Sequence, residues 1–358
     1  MKRPYYILSS GKLVRRQNTL VFFPFGEPSP VTEGIEEDVL FLYPSDADPH
    51  TYDTKQKRTM PIDGIDSIWI FGEMSTTTKF FDFVSQRRIP VHFFNYYGHY
   101  TGSFYPREYL NSGFLLVRQV EHYRSKVKRL FLARSFVEGA AHTMLKNLRY
   151  YHNRGIDIGR QIEEIEKLQQ LIAGCDSVDE LRGIEGNVRI TYYDAFPRIL
   201  RDALPFEGRS KKPPLNALNA LISFCNSLVY TACLGEIYHT QLSPLIAYLH
   251  EPGERRFSLA LDIAEIFKPL IADRLIFSMV NQKMIRLEHF DSTLEFCYLR
   301  DKGRRIVLKQ FEEKMQSTFK HRGLNRHVSY RRLIRLECYK LVRHLIGDTV
   351  YKPFKAWW

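Results

Sequence analysis

Three short segments of the chain carry side chains able to hold a hard metal ion. In Arg182-Gly183-Ile184-Glu185-Gly186-Asn187 a carboxylate stands between two glycines, and residues without side chains let a substrate backbone come close. In Leu249-His250-Glu251-Pro252-Gly253 an imidazole stands just before a turn. In Ser258–Glu265, Asp262 and Glu265 are three apart, so on a helix their carboxylates face the same way. Pro269 has no N–H for the carbonyl of Glu265, which predicts a bend there and a free carbonyl beside that side chain. Carboxylates with one imidazole suit Mg2+ or Mn2+ better than zinc. Such an ion lowers the pKa of a nucleophile and bears the charge that develops on a reacting phosphate.

Taken singly, each segment has an ordinary explanation. A lone glutamate is usually a surface residue, a histidine at a helix end usually caps or packs, and an i,i+3 acidic pair is usually a solvated face. No spacing rule joins positions 185, 250 and 265, because such ligands converge only in three dimensions.

The elements that must position these residues are of two kinds. Up to about residue 100 the chain reads as β: Tyr5–Leu8, Thr19–Phe23, Val39–Tyr43, Ser67–Phe71 and Val91–Asn95 are short runs of β-branched and aromatic residues. Ser9-Ser10-Gly11-Lys12, Pro28-Ser29-Pro30, Pro61–Gly64 and Gly98 read as turns between them. One helix interrupts this pattern, with Ser75 as its cap, Phe80, Phe81 and Val84 as its inward stripe, and Arg87-Arg88 at its end before Pro90. From Asn111 the apolar spacing becomes helical, with Leu116, Val120, Tyr123, Val127, Leu130 and Phe131 as the first stripe. Helices follow through Ile162–Ile172, after the capping box Ser177–Glu180, and over Asn216–Tyr238, Ser258–Met284 and Ser329–Ile346. Breaks fall at Gly208–Pro214 and Glu251–Gly253. The expected architecture is α+β with two domains: a β-rich, sandwich-like domain over 1–105 and a larger all-α catalytic domain over 106–358.

Composition narrows the partners. The net charge is +12 over 358 residues. Residues 300–358 hold 16 Lys/Arg against 5 Asp/Glu, and 118–160 hold 10 against 3, so the rest of the chain is net acidic. This clustering favours a cationic face and a polyanionic partner over general solubility, although basic helices also occur simply as solvated faces. Cys175, Cys225, Cys233, Cys297 and Cys338 are widely spaced and form no CxxC pair, which argues for a reducing compartment and against a disulfide framework or zinc site. No signal peptide is visible. The uncharged stretch Pro213–Gly235 carries asparagines and hydroxyls that lipid would penalise, so it reads as a buried core helix. A cytoplasmic protein without a membrane association is expected.

In order along the chain, several blocks resemble the CRISPR-associated adaptation integrase family, the larger of the two proteins that capture new spacers. They are Gly183–Asn187 with Tyr192-Tyr193, Arg209–Phe224 with its Pro213-Pro214 and Asn219-Ala220-Leu221, Leu242-Ser243-Pro244 with Tyr248-Leu249-His250, Ser258–Pro269, and Leu333–Leu341 with Tyr351–Phe354. The resemblance implies that Glu185, His250 and Glu265 hold a divalent ion, with Asp262 as an accessory catalytic carboxylate that positions a water, His250 or a DNA-facing cation. It implies an N-terminal domain that forms a homodimer, a small ferredoxin-like partner protein, and double-stranded DNA as substrate, both the spacer precursor and the CRISPR repeat. The sequence departs from the family pattern at Ala247, where a glycine is common, and at Lys268, where an arginine is usual.

The implied chemistry is transesterification by a DNA 3′-hydroxyl, or cleavage of branched DNA when water is the nucleophile. Phosphate contacts are expected from Arg209, Lys211, Lys212, Arg255, Arg256, Arg304, Arg305, Arg322 and Arg326, chosen for charge and nearness to the motifs. Tyr192, Tyr193 and His239 are weaker candidates for DNA ends, since aromatic residues in helices ordinarily belong to the core. A non-catalytic DNA-binding scaffold and an RNA-processing enzyme are the competing classes. The second lacks an aromatic ribonucleoprotein signature.

Overall fold

A computed structural model describes residues 2–25, 57–201, 203–210, 213–253, 257–292 and 296–358. The strand expected at Val39–Tyr43 and the turn Pro28-Ser29-Pro30 lie outside the described residues, as do Lys211, Lys212, Arg255 and Arg256. The chain divides into two compact units, Met1–Tyr109 and Leu110–Trp358.

In the first unit, β1 (Arg3–Ile7), β2 (Gly11–Arg16), β3 (Thr19–Pro24), β4 (Arg58–Pro61), β5 (Ile65–Ile70) and β6 (Met74–Thr76) precede α1 (Thr78–Gln86), and β7 (Val91–Phe94) and β8 (Tyr100–Phe104) follow it. They form two four-stranded sheets, ordered β1-β5-β7-β8 and β4-β3-β2-β6. In the first sheet β1, β5 and β7 run parallel and β8 antiparallel, so the sheets are mixed where a sandwich would be antiparallel. Ile7, Ile65, Ile68, Ile70 and Val91 of one sheet share a core with Leu13, Leu20, Phe22 and Met60 of the other and with Phe80, Phe83 and Val84 of α1.

Two expectations fail here for local reasons. The segment read as a turn at Ser9–Lys12 instead opens β2, and Gly11 is required there: a Cβ would lie 2.4 Å from the Phe22 ring and from the Phe23 carbonyl. The real turn between β2 and β3 is Gln17-Asn18, with Gln17 at φ 51°. Ser75 lies in β6, pairing with Lys12, and α1 starts after Thr77.

The second unit begins with α2 (Gly113–Arg124) and α3 (Lys126–His152), followed by α4 (Gly159–Ile172), α5 (Val178–Asp194), α6 (Phe196–Ile199) and α7 (Ala217–Tyr238). Then come α8 (Ser258–Phe267), a π-helical turn over Lys268–Asp273, and α9 (Arg274–Asn281). Strands β9 (Phe290–Ser292) and β10 (Cys297–Leu299), helix α10 (Asp301–Gln316), strands β11 (Thr318–His321) and β12 (Arg326–Ser329), and α11 (Tyr330–Leu345) complete it. The unit is therefore mainly helical rather than all-α, since β9/β10 and β11/β12 are antiparallel pairs.

Helix α7 is the centre. Asn216 caps it by accepting the Asn219 N–H at 2.9 Å, and its apolar residues are buried around its circumference against α8, α11 and the π turn. It is long and apolar enough to cross a bilayer, but most of it is enclosed by the rest of the unit, which makes it a core helix. All five cysteines are free and buried.

The first helical stripe is shifted from its expected phase. Leu116, Val120 and Val127 are exposed, and α2 buries Leu115, Gln119 and His122 instead. The polar residues face inward because they satisfy backbone groups: the Gln119 amide accepts from Ser243 N–H and donates to its carbonyl. At Pro269 the helix does not simply bend. It widens into the π turn, a form often found at functional sites.

Candidate active site

Helix α5 starts at Ser177, whose hydroxyl accepts the Glu180 N–H at 3.1 Å, while the Glu180 carboxylate accepts from Asp176 N–H at 2.9 Å. This start sets the phase that puts Glu185 and Arg189 on one face, four residues apart. The Arg189 guanidinium pairs with Glu185 on its own helix and with Glu265 on α8. Glu265 also accepts from Lys268 Nζ at 2.7 Å. Two carboxylates distant in sequence thus share one guanidinium. The Glu265 side chain is only 5% exposed, whereas that of Glu185 retains 23%.

Asp262 sits one turn before Glu265, and its side chain has no solvent exposure. It accepts the N–H groups of Tyr248 (2.6 Å), Leu249 (3.0 Å) and His250 (3.0 Å), and the Nδ1 of His250 at 2.8 Å. One buried carboxylate therefore fixes both the turn and the imidazole. With Nδ1 donating to Asp262, the His250 Nε2 is the ring nitrogen left with a lone pair. The same turn is held from α3: Arg129 donates to the Tyr248 carbonyl at 3.0 Å and to Glu251 at 2.5 Å, and this arginine holds the Glu251 carboxyl below its ordinary pKa.

Behind the carboxylates lies a ring of buried polar groups. The Asn147 amide nitrogen donates to Tyr192 Oη (2.9 Å) and to the Pro269 carbonyl (2.8 Å), and its oxygen accepts from Arg274 Nε (2.8 Å). One side chain thus ties α3, α5 and the π turn together. Burial pushes Asp273 up to about 7, opposed chiefly by Arg189. Burial, and after it the Arg189 charge, pushes Lys268 down to about 7. Arg209 donates to Asn219 (2.9 Å) and Ser223 (3.0 Å) on α7, where burial lowers its pKa.

Of the expected metal ligands, the structure brings Glu185 and Glu265 to one point and ties His250, from the turn before α8, to Asp262 one turn before Glu265. Among the described residues no three His, Cys, Asp or Glu side chains stand together as a ready cage, and Arg189 lies between the two acids. The donor set still fits a hard dication: two carboxylates converge on positive charge, and a neighbouring imidazole has its second nitrogen oriented by a carboxylate. Gly183 and Gly186 face open space, so the backbone of α5 beside Glu185 is bare.

The cationic candidates separate clearly. Arg322 and Arg326 are exposed, and Arg305 is half-buried. Arg304 is 3% exposed, donates to the Leu299 carbonyl and pairs with Asp301; its place is inside the fold, not on a DNA-facing surface. Arg209 is also largely enclosed, holding the 208–210 loop to α7. Tyr192 and Tyr193 are core residues. Sequence reasoning missed Arg189, Asn147, Arg129 and Asp273. Only Arg189 had a visible signal, its i,i+4 spacing from Glu185.

Comparison with known proteins places the chain in one family. The profile of the family described as CRISPR associated protein Cas1 matches residues 48–313. A CRISPR-associated endonuclease of Thermodesulfovibrio yellowstonii is 46% identical, over all of this chain and all of its own length. One from Fusobacterium nucleatum is 45% identical, over 100% of this chain and 98% of its own. The solved structure of a CAS1 protein from Thermotoga maritima, 37% identical, superposes with a TM-score of 0.82 over 98% of this chain and 99% of that one.

Proposed function

The chain belongs to the CRISPR-associated Cas1 family, and from that premise we propose that it is a divalent-metal-dependent DNA integrase and endonuclease of spacer acquisition. It joins the 3′-hydroxyl ends of a spacer precursor to the repeat array and cuts branched DNA. The observation that carries this reading is the meeting of Glu185 and Glu265, from separate helices, on one positive group.

Glu185, Glu265 and the Nε2 of His250 are the residues that would hold Mg2+ or Mn2+. When bound, the ion supplies Lewis-acid charge to the scissile phosphate and to the departing oxygen. Asp262 keeps the imidazole in the tautomer and orientation a ligand needs. Arg189 and Lys268 neutralise the two acids in the metal-free protein, so the buried carboxylates are never left without counter-charge. The bare backbone at Gly183 and Gly186 leaves room for a DNA strand beside Glu185. The nucleophile is the DNA hydroxyl, or water in the cleavage reaction, so no serine or cysteine is required of the protein. The reading includes a homodimer, a small ferredoxin-like adaptation protein as partner, and phosphate contacts from exposed cations such as Arg322 and Arg326.

One assay tests it: purified protein with Mn2+ or Mg2+, a branched DNA and an RNA of matched sequence. Strand transfer and cleavage of DNA should be abolished by chelation and by Glu185→Gln. Undiminished integration by Glu185→Gln would reject the metal assignment. Salt-sensitive DNA binding without any metal-dependent product would favour the scaffold reading.

A further inference from the structure

Between Lys314 and Leu336 the sequence has seven Lys/Arg and no Asp or Glu. The structure makes the centre of this run into the hairpin β11–β12, with Thr318 opposite Ser329, Phe319 opposite Val328, Lys320 opposite His327 and His321 opposite Arg326. Because side chains alternate across a strand, its two faces differ in chemistry. One carries Phe319 and Val328 and, at its outer end, the pair His321 and Arg326, with the His321 ring 5.9 Å from Trp357. Phe319 packs on Tyr330 (5.2 Å), Trp357 (5.8 Å) and Trp358 (4.5 Å), so this face is glued to the C-terminal segment. The other carries Thr318, Lys320 and His327, all exposed.

The tip is Arg322-Gly323-Leu324-Asn325, closed by Leu324 N–H donating to His321 Nδ1 and by Asn325 at φ 46°. The Arg322 guanidinium lies 5.2 Å from the Trp357 ring, which holds it without cancelling its charge. Arginines just beyond the hairpin are paired, Arg331 with Glu312 and Arg335 with Glu236. Lys320, Arg322 and Arg326 have no carboxylate partner among the described residues.

We propose that this hairpin is a duplex-DNA contact, with Lys320 on its outer face, Arg322 at its tip and Arg326 at the edge of the opposite face presenting exposed charge to the phosphates. The proposal rests on the DNA reading above and adds the element that grips the duplex outside the metal site. Three exposed cations without a carboxylate partner on one short hairpin suit a polyanion, and a two-stranded ribbon has the width that a major groove admits. Phe319 and the Trp357 and Trp358 rings it packs on lie on the other face, so the large aromatic rings are not set beside Lys320 as a row of platforms for unpaired bases.

The test uses the full-length protein and a fluorescent branched DNA, with anisotropy read across a salt series. Three phosphate contacts contribute about −0.9 each to the slope of log K against log salt. The triple variant Lys320→Ala/Arg322→Ala/Arg326→Ala should therefore lose about 2 to 3 from that slope, with Kd weakened at least about tenfold at moderate salt. A control triple of exposed cations elsewhere, Lys79→Ala/Arg107→Ala/Lys167→Ala, should change the slope by less than about 0.5. The side chains are exposed, so an unchanged melting temperature verifies the fold of each variant. Equal slopes for variant and parent, equal losses from both triples, or a loss seen on an RNA duplex and not on DNA would overturn the proposal. Metal-dependent strand transfer by the parent protein decides the catalytic reading separately, since the slope can change whether or not the protein cuts.

Discussion

Replacing Arg189 by methionine removes the one group shared by Glu185 and Glu265 while keeping most of the packing volume. Breaking a buried ion pair from one side costs about 3–5 kcal/mol. Here the cost is smaller: Glu265 keeps Lys268 at 2.7 Å, and Glu185 retains some contact with water. About 2–3 kcal/mol is the resulting expectation. At about 2–4 °C per kcal/mol for a unit of this size, the melting temperature in chelator should fall by roughly 5–10 °C. Saturating Mn2+ should then stabilise Arg189→Met by more than it stabilises the parent, because in the parent an ion must first displace the guanidinium from both acids. An ion at about 100 times its Kd adds about 2.7 kcal/mol, enough to recover most of the loss. Differential scanning fluorimetry with EDTA and with Mn2+ measures both quantities. A variant that melts within about 1 °C of the parent in EDTA would refute the bridging role, and identical Mn2+ shifts would refute the competition between guanidinium and metal.

Asp262→Asn should weaken Mn2+ binding about 10–100-fold by calorimetry, since a carboxamide cannot accept all the donors gathered on Asp262 and so leaves His250 unoriented; unchanged affinity would remove Asp262 from that role. Asp273 has its folded pKa raised from 3.8 to about 7. Its neutral form is the one the fold prefers, so its contribution is complete below about pH 4 and is lost as pH rises through 7. Asp273→Asn should accordingly flatten the decline of melting temperature between pH 4 and 7, and a variant with the parent's slope would assign that decline elsewhere. Gly11→Ala should destabilise the first unit by about 1–3 kcal/mol through its clash with the Phe22 ring and the Phe23 carbonyl, read by urea denaturation with a probe in that unit.

What could be read from the residues follows the range of the interaction. Ser177 announces a helix start because a cap is settled within three residues, and it caps as its sequence suggests, as does Asn216 at the start of its helical run. The runs at Tyr5, Thr19, Ser67 and Val91 form strands because β-branched and aromatic residues suit a pleated surface wherever the sheet lies. Strand β2 was hidden because its Gly11 answers to Phe22 and Phe23, a requirement set by its partner strand. Gln119 turned inward for the same kind of reason, since its partner Ser243 lies more than a hundred residues away, and His122 beside it packs on the likewise distant His344. In the site, the resemblance supplied Glu185, His250 and Glu265. Of the cations that balance them, Arg189 signals its pairing with Glu185 by spacing alone, but its pairing with Glu265 follows only from the approach of α5 to α8. Charge alone could not separate Arg304, spent inside the fold, from Arg322, presented on a hairpin tip.

The π turn over Lys268–Asp273 carries a consequence for chain length. Accommodating Pro269 by one wide turn resets the rotational phase of everything downstream. Arg274 reaches Asn147, and Asp273 lies buried beside Tyr192, only in that reset phase. Deleting a single residue there would restore a regular helix and swing both groups by about 100° around its axis. The spacing between Glu265 and Arg274 is therefore as much a requirement of this geometry as the identity of the residues themselves.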